Sequence, residues 1–257
     1  MNMSTGINVV KQPRVSVISR PQFIEPEHLK TNFLGDASDS ERVCEFAGRL
    51  CYMSQNNTSN KTTHDYITNI LQQGHGSVLE HGVFVLLIEG VSRSCTHEMV
   101  RHRAGFGYSQ LSQRYVDESN AVFVMPPAII DNKDLEITWE QQMTLAQQTY
   151  ISLVENLLLF YQNVTDKTHR RKLAREAARS VLPNATETKI VVSGNIRAWR
   201  TMLELRCSEG AEREIRRLGI EILNVMKRES PSAFSDFEVY ISPTDGYQAA
   251  RCKYHKV

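Results

Sequence analysis

The chain has 257 residues, enough for one large domain with a sizeable buried core. Its 30 basic and 29 acidic residues give a net charge of +1, which argues against a protein that binds nucleic acid mainly through its overall charge. The five cysteines are scattered and form no CxxC pair, and the sequence has neither a signal peptide nor an apolar run of about 18 residues. We therefore expect a cytoplasmic protein in a reducing compartment, with no membrane span.

The hydrophobic patterns predict helices and strands that mix without strict alternation. In the first half of the chain, we expect a strand at 14–20, helices at 38–53 and 62–73, a strand at 83–91, a helix at 92–103 and a strand at 121–125. In the second half, we expect helices at 139–164 and 167–182, a strand at 189–193, helices at 196–206 and 211–227 and a strand at 237–242. This order predicts an α+β fold: a single domain with a mixed or antiparallel sheet flanked by helices. The polar tail, residues 244–257, is expected to be loose.

Common metal sites do not fit the histidine spacing. His97 and His102 are five residues apart, whereas two zinc-binding histidines on one face of a helix are four apart. His75 and His81 are six apart and flank residues expected in a loop. We therefore expect no metal site.

Other familiar active-site patterns are also missing. No cysteine has the sequence context of a nucleophile, and a buried cysteine is usually a small hydrophobic residue. The segment AGFG at 104–107 is not a dinucleotide-binding GxGxxG loop and follows a predicted helix, not a strand. No Walker loop occurs either. A bound nucleotide would have to be held by side chains and local backbone amides.

Arginine is concentrated in three segments of the chain. The clusters are Arg101, Arg103 and Arg114; Arg171, Arg175 and Arg179; and Arg197, Arg200 and Arg206. The guanidinium group is a planar, permanently charged fork of donors that matches phosphates and carboxylates. On a basic helix such residues often form only a solvated face, and we interpret Arg171 and Arg175 in that way. Together with Ser109, Ser112 and Asn195, the other arginines predict a pocket for one or more nucleotides.

Three motifs in matching order resemble the flavin-dependent thymidylate synthase family. The first is RHR at 101–103 followed by SQRY, the second is GHGSVLEH upstream, and the third is ARSVLPNATETKIVVSGNIRAWRTMLELR downstream. The resemblance runs from about residue 47 to residue 240. It implies the fold of that family, a catalytic domain over residues 1–243 and a homotetramer whose active sites are shared between chains.

The resemblance also implies roles for particular residues. It predicts that FAD contacts Ser77, Glu80, Arg101, His102, Arg103, Gln110, Asn195, Arg197 and Thr201. It predicts that dUMP contacts Glu98, Arg101, Gln110, Ser112, Gln113, Arg114, Arg179 and Arg206. Arg206 would pair with the uracil ring, and His75 would lie near the folate and the flavin; these two are the predicted catalytic residues.

The implied reaction converts dUMP to dTMP with 5,10-methylenetetrahydrofolate as one-carbon donor, NADPH as reductant through FAD, and tetrahydrofolate as product. An arginine beside the uracil ring favours the deprotonated ring and so makes C5 more nucleophilic. Three alternatives stay open: a flavin enzyme acting on another pyrimidine nucleotide, a nucleotide-binding protein without activity, and a nucleic-acid-binding module. The near-neutral charge counts against the last of these.

The chain departs from the family pattern at three places. Eight residues, Ala104 to Leu111, separate RHR from Ser112 where the pattern has seven, and the glycines of AGFG are expected to absorb the extra one. Glu98 stands where a glutamine is expected, so a carboxylate would lie beside the substrate. Gly210 stands where a histidine often follows the helix that carries Arg206, which predicts a weaker hold on the flavin.

Overall fold

The computed structural model describes residues 6–56, 60–130, 132–255 and 257, in which helices and strands mix as an α+β fold. The helices are α1 (Asp39–Cys51), α2 (Thr63–Gln73), α3 (Arg93–Met99), α4 (Lys133–Phe160), α5 (Lys167–Ala178), α6 (Ile196–Arg206) and α7 (Arg213–Glu229). The strands are β1 (Asn8–Val10), β2 (Arg14–Ser19), β3 (Val83–Ser92), β4 (Phe106–Gln110), β5 (Val122–Val124), β6 (Glu187–Asn195), β7 (Phe237–Ile241) and β8 (Gln248–Cys252). The predicted fold class is confirmed.

The strands form one four-stranded sheet and two pairs. The order in the larger sheet is β2-β3-β6-β4. Strands β1 and β5 pair in parallel, with Val9 opposite Phe123, whereas β7 and β8 pair antiparallel, with Val239 opposite Ala250. Both strand directions therefore occur in this fold.

The chain divides into two compact units. The first lies within residues 1–13, 89–98 and 109–190, and it contains β1, β5, α4 and α5. The second lies within residues 14–88, 99–108 and 191–257, and it contains β2, α1, α2, α6, α7, β7 and β8. Strands β3, β4 and β6 each have residues in both units.

Each unit has its own buried apolar residues. In the first, Phe123 of β5 and Met143 of α4 are buried together, and Trp139 packs against them. In the second, α7 buries Ile215, Leu218 and Ile222, which recur at the spacing of one helical face. Trp199 of α6 is fully buried there, and its indole nitrogen donates a hydrogen bond to the Gly194 carbonyl at 3.1 Å.

Local signals in the sequence explain where the early helices begin and end. Ser38 and Thr62 cap α1 and α2, and each forms a capping box with the acidic residue three positions later. Gly74 ends α2 in the left-handed conformation, with φ of +68°, which a residue without Cβ adopts most readily. The predicted helices at 38–53 and 62–73 are thus confirmed.

Three predicted helices have clearly different bounds in the structure. The helix expected at 167–182 ends at Ala178, where the 3₁₀ turn Arg179–Val181 follows. The helix expected at 92–103 ends at Met99, and the hydroxyl of Tyr108 lies 3.1 and 2.6 Å from the carbonyls of Met99 and His102, which it satisfies as a shared donor. The helix expected at 139–164 begins six residues earlier, at Lys133, because Asn132 caps it by accepting from the Leu135 amide. Strands β1 and β4 were not predicted at all.

The expectation of a loose tail beyond Pro243 is wrong for Gln248–Cys252. This segment forms β8, which pairs along its full length with β7. Ala249, Ala250 and Cys252 are buried. The polar composition of the tail as a whole gave no indication of this buried strand. A short strand is stabilised here by its tertiary neighbours, not by local propensity.

None of the described helices combines the length and the apolar character that crossing a bilayer requires.

A charge introduced on the buried face of β8 should destabilise the protein. We expect Ala250→Asp to lower the free energy of unfolding by about 3 kcal/mol, because it buries an unpaired carboxylate. Gln248→Asp, on an exposed residue of the same strand, is the matched control and should change it by less than about 0.5 kcal/mol. Urea denaturation measures both; equal, small effects would mean that this segment is loose in solution.

Candidate functional site

A cavity of about 330 Å³ in the second unit brings together six of the nine residues predicted to contact FAD. They are Glu80, His102, Arg103, Asn195, Arg197 and Thr201. Three segments that are far apart in sequence supply them: the 3₁₀ turn Gly76–His81, the turn after α3, and the first two turns of α6. The tertiary fold thus brings together most of the residues that the three motifs predict to contact FAD.

The wall of this cavity is formed where the loop 103–106 meets the start of α6. The side-chain oxygen of Asn195 caps α6 by accepting from the Ala198 amide at 2.8 Å, and the backbone N–H of Asn195 donates to the Gly105 carbonyl at 3.3 Å. Gly105 has φ of +76°, and a Cβ there would lie only 2.8 Å from the Cβ of Ala198. Glycine is therefore required at 105, both by its conformation and by the close approach.

The cavity is lined by positive groups and one carboxylate. Arg103 and Arg197 both face it, and Arg197 pairs with Glu80 at 2.6 Å. The amino end of α6 adds the partial positive charge of a helix N-terminus. Because this pair is about half exposed, its net stabilising effect is small, and its main consequence is to orient the guanidinium group.

His102 and Arg206 are hydrogen-bonded to each other. Nε of Arg206 donates to Nε2 of His102 at 2.9 Å, so this nitrogen is unprotonated and the ring proton lies on Nδ1. Burial and then the charge of Arg206 lower the pKa of His102 from its ordinary value of 6.5. The neutral ring thereby becomes a fixed acceptor that orients Arg206.

The remaining predicted residues of this unit lie elsewhere. His75 and Ser77 line a second cavity, of about 350 Å³, to which Arg197 also contributes. Arg101 is exposed in the turn after α3. Gly210 is exposed, and a Cβ there would have no atom of the described residues within 4 Å, so none of them contacts the Cβ position of the histidine expected there.

Most of the residues predicted to bind dUMP belong to the first unit. The side-chain amide of Gln110 donates to the hydroxyls of Thr96 and Thr188 at 3.1 and 3.2 Å, so its nitrogen is already hydrogen-bonded within the protein. Arg114 makes two hydrogen bonds to Glu176, at 3.1 and 3.0 Å, and the hydroxyl of Ser112 accepts from the Arg114 amide at 3.4 Å. Glu98 is half buried in α3.

Gln113 differs from its neighbours because its side chain is buried and its amide nitrogen has no hydrogen-bond partner in the part of the chain that the structure describes. A buried donor without a partner costs free energy, so such groups often mark a place where a ligand completes the hydrogen bonding.

Arg93 is a candidate residue that the sequence analysis missed. It is the first residue of α3, and its buried Nη1 has no hydrogen-bond partner among the described residues. Burial and then the positive charge of Arg179 lower its pKa, while Glu118 acts in the opposite direction. Two cations held near each other favour an anion between them. The only sequence signal was an arginine directly after a buried strand.

The chain matches a known family and its members. Residues 33–232 match the family model described as "Thymidylate synthase complementing protein". The chain is 44% identical to proteins named "Flavin-dependent thymidylate synthase" from Mycobacteroides abscessus and Mycobacterium tuberculosis. Each alignment covers 92% of this chain and 94% of the relative.

Among solved structures, the fold is similar to that of a UMP/dUMP methylase from Streptomyces cacaoi, bound in one crystal to 5-Br dUMP and in another to 5-Br UMP. The TM-score is 0.65 at 20% sequence identity, over 89% of this chain. In the crystal with 5-Br dUMP, the alignment covers 96% of the methylase chain. This structural similarity supports the assignment of the chain to the same fold.

Removing the charge of Arg206 should raise the pKa of His102. We expect Arg206→Met to shift this pKa back toward 6.5, because one of its two causes is lost while burial remains. NMR titration of the His102 ring measures it; an unchanged or lower pKa would contradict the hydrogen-bonded pair. In the wild type, the unfolded chain binds this proton more readily, so the free energy of unfolding should rise with pH between the lowered pKa and 6.5.

Proposed function

Because the chain belongs to the flavin-dependent thymidylate synthase family, we propose that it converts dUMP to dTMP with FAD as cofactor. The one-carbon donor is 5,10-methylenetetrahydrofolate, the reductant is NADPH, and the folate product is tetrahydrofolate. We further propose that residues 1–243 include the catalytic machinery and that the protein acts as a cytoplasmic homotetramer.

The observation that carries this proposal is the cavity that Glu80, His102 and Arg197 line together with three more predicted flavin residues. These residues belong to three motifs that are far apart in the sequence, and similarity at a single motif would not by itself place them around one cavity. A cavity of about 330 Å³ also has the size of a small-molecule site.

The residues around this cavity fit a group that carries a pyrophosphate and a flat ring. Arg103, Arg197 and the amino end of α6 are suited to phosphate oxygens, and Asn195 and Thr201 add polar atoms. Phe106 presents an aromatic side chain on the same wall. We propose that these residues hold FAD, which when bound supplies the hydride that the methyl group needs.

Arg206 is proposed to act on the uracil ring. A fixed cation beside the ring stabilises the negative charge that develops when N3 loses its proton, and electron density at C5 rises as a result. His102 contributes by accepting the Nε hydrogen bond of Arg206, which limits the rotation of the guanidinium group. Protonation of His102 would remove this acceptor and place two cations side by side.

Arg93, Gln113 and Arg179 are proposed to bind the phosphate of dUMP in the first unit. Arg93 and Gln113 each carry a buried nitrogen without a hydrogen-bond partner among the described residues, and Arg179 adds a second positive charge near Arg93. A phosphate dianion offers acceptors for these donors and offsets the repulsion between the two arginines.

A spectroscopic experiment tests the reaction. Under anaerobic conditions, NADPH should bleach the visible bands of the FAD-loaded protein, and methylenetetrahydrofolate should restore them only when dUMP is present. Mass spectrometry should then find dTMP. Parallel reactions with UMP and dCMP test the alternative that another pyrimidine nucleotide is methylated, which the carboxylate of Glu98 motivates.

Two results would contradict the proposal. A protein that cannot be loaded with FAD would exclude a flavin enzyme, and a protein that binds FAD and dUMP without forming product would be a nucleotide-binding protein without activity.

Removing the charge of Arg93 should weaken the binding of the dUMP phosphate. We expect Arg93→Gln to weaken dUMP binding by about 10- to 100-fold, because a charge-assisted hydrogen bond is lost. Arg171→Gln, which makes the same charge change on an exposed residue of α5, is the control and should change dUMP affinity less than about twofold. Calorimetric titration with dUMP measures both; equal affinities for the two variants would exclude Arg93 from the phosphate site.

A further inference from the structure

Three side chains of different chemistry converge where the chain ends in the second unit. Glu204 lies on α6, Cys252 is the last residue of β8, and His255 follows three residues later. Nδ1 of His255 is 2.8 Å from a carboxylate oxygen of Glu204 and 3.6 Å from the sulfur of Cys252. All three ligand atoms lie within 4.8 Å of one another.

We propose that Glu204, Cys252 and His255 form a binding site for Zn²⁺. The site is separate from the residues proposed to bind FAD and dUMP, and it does not depend on the proposed reaction. It departs from the sequence-based expectation of no metal site, because Glu204 is remote in sequence from the other two residues.

The chemistry of the three ligands matches zinc. Thiolate sulfur, imidazole nitrogen and carboxylate oxygen are the donors that zinc takes in proteins, at about 2.0–2.3 Å. Tetrahedral coordination at these lengths places the donors roughly 3.3–3.8 Å apart, and small rotations of the partly exposed side chains of Glu204 and His255 reach this spacing. Three protein ligands leave the fourth position for water.

The backbone between Cys252 and His255 is held in place by a buried ion pair. Arg200 and Asp236 bond to each other at 2.7 Å, and both are almost fully buried. Arg200 also donates to the Tyr254 carbonyl at 3.1 Å, while Asp236 accepts from the Tyr254 amide at 3.0 Å. The turn that carries two ligands is therefore positioned in advance, which lowers the entropic cost of binding the ion.

The same ion pair limits repulsion between Arg200 and the bound cation, because Asp236 balances the arginine charge at close range.

Without metal, burial, followed by the nearby charge of Glu204, raises the pKa of Cys252 to about 11, so it is a protonated thiol at neutral pH and a poor nucleophile. Coordination itself deprotonates a thiol.

A bound ion would link the last strand to α6. That helix carries Arg197 and Thr201 at the cavity and Arg206 at its end. Zinc at this site would therefore stabilise the chain terminus against the helix on which several of the proposed functional residues lie.

Titration of the purified, metal-stripped protein with Co²⁺ and Zn²⁺ tests the site. Co²⁺ should produce a thiolate charge-transfer band and the visible bands of tetrahedral cobalt, saturating near one equivalent, and Zn²⁺ should displace it. Saturating Zn²⁺ should raise the thermal midpoint by about 5 °C. Cys252→Ser should abolish the charge-transfer band, and His255→Ala should weaken Co²⁺ binding at least tenfold.

Two matched variants control for adventitious binding. Cys51→Ser removes an exposed thiol and His64→Ala an exposed imidazole, and both should keep the full spectrum. If wild type shows no charge-transfer band, or if the band survives in Cys252→Ser, the proposal is wrong and the three side chains are only a hydrogen-bonded anchor for the terminus. Because His255 is exposed, its variant tests the site even if Cys252→Ser does not fold. None of these readouts requires turnover.

Discussion

The cap of α6 is the interaction on which the proposed functional residues of the second unit depend. Asn195 ends β6, its side-chain oxygen accepts a hydrogen bond from the Ala198 amide, and its backbone N–H donates to the Gly105 carbonyl. One residue thus sets the first turn of the helix and holds the loop after the RHR motif. Arg197, Thr201 and Arg206 follow at fixed positions along a rigid helix, and rigid elements position functional groups more accurately than loops do.

The arginines that looked alike in the sequence have different roles once their partners are known. Arg200 is buried with Asp236 and stabilises the turn before the chain terminus, whereas Arg114 and Arg175 pair with carboxylates near the surface. Arg93 has a buried nitrogen without a partner among the described residues and lies near another cation. An arginine of the last kind gains most by binding an anion, because one of its buried nitrogens still lacks a hydrogen-bond partner among the described residues.

Neutral His102 lies between the cavity proposed for the flavin and the arginine proposed to bind the uracil ring. Its ring lines the cavity proposed for the flavin, and its Nε2 accepts from the arginine proposed to act on uracil. Its backbone carbonyl, in turn, accepts from the hydroxyl of Tyr108, which also lies 3.1 Å from the carbonyl of Met99, the last residue of α3. One small hydrogen-bond network therefore joins the end of α3 to Arg206, the side chain proposed to act on uracil.

The sequence by itself determined the helices with strong caps and clear periodicity, including α1, α2 and α6, because these signals are local. Its motifs also identified six residues that line one cavity. Only the tertiary structure decided that α3 stops at Met99, that Gln248–Cys252 is a strand, and that Arg93 and the cluster at Cys252 are candidate sites. Each of these depends on contacts outside the element itself, in the last two cases with residues far along the chain, which local patterns do not encode.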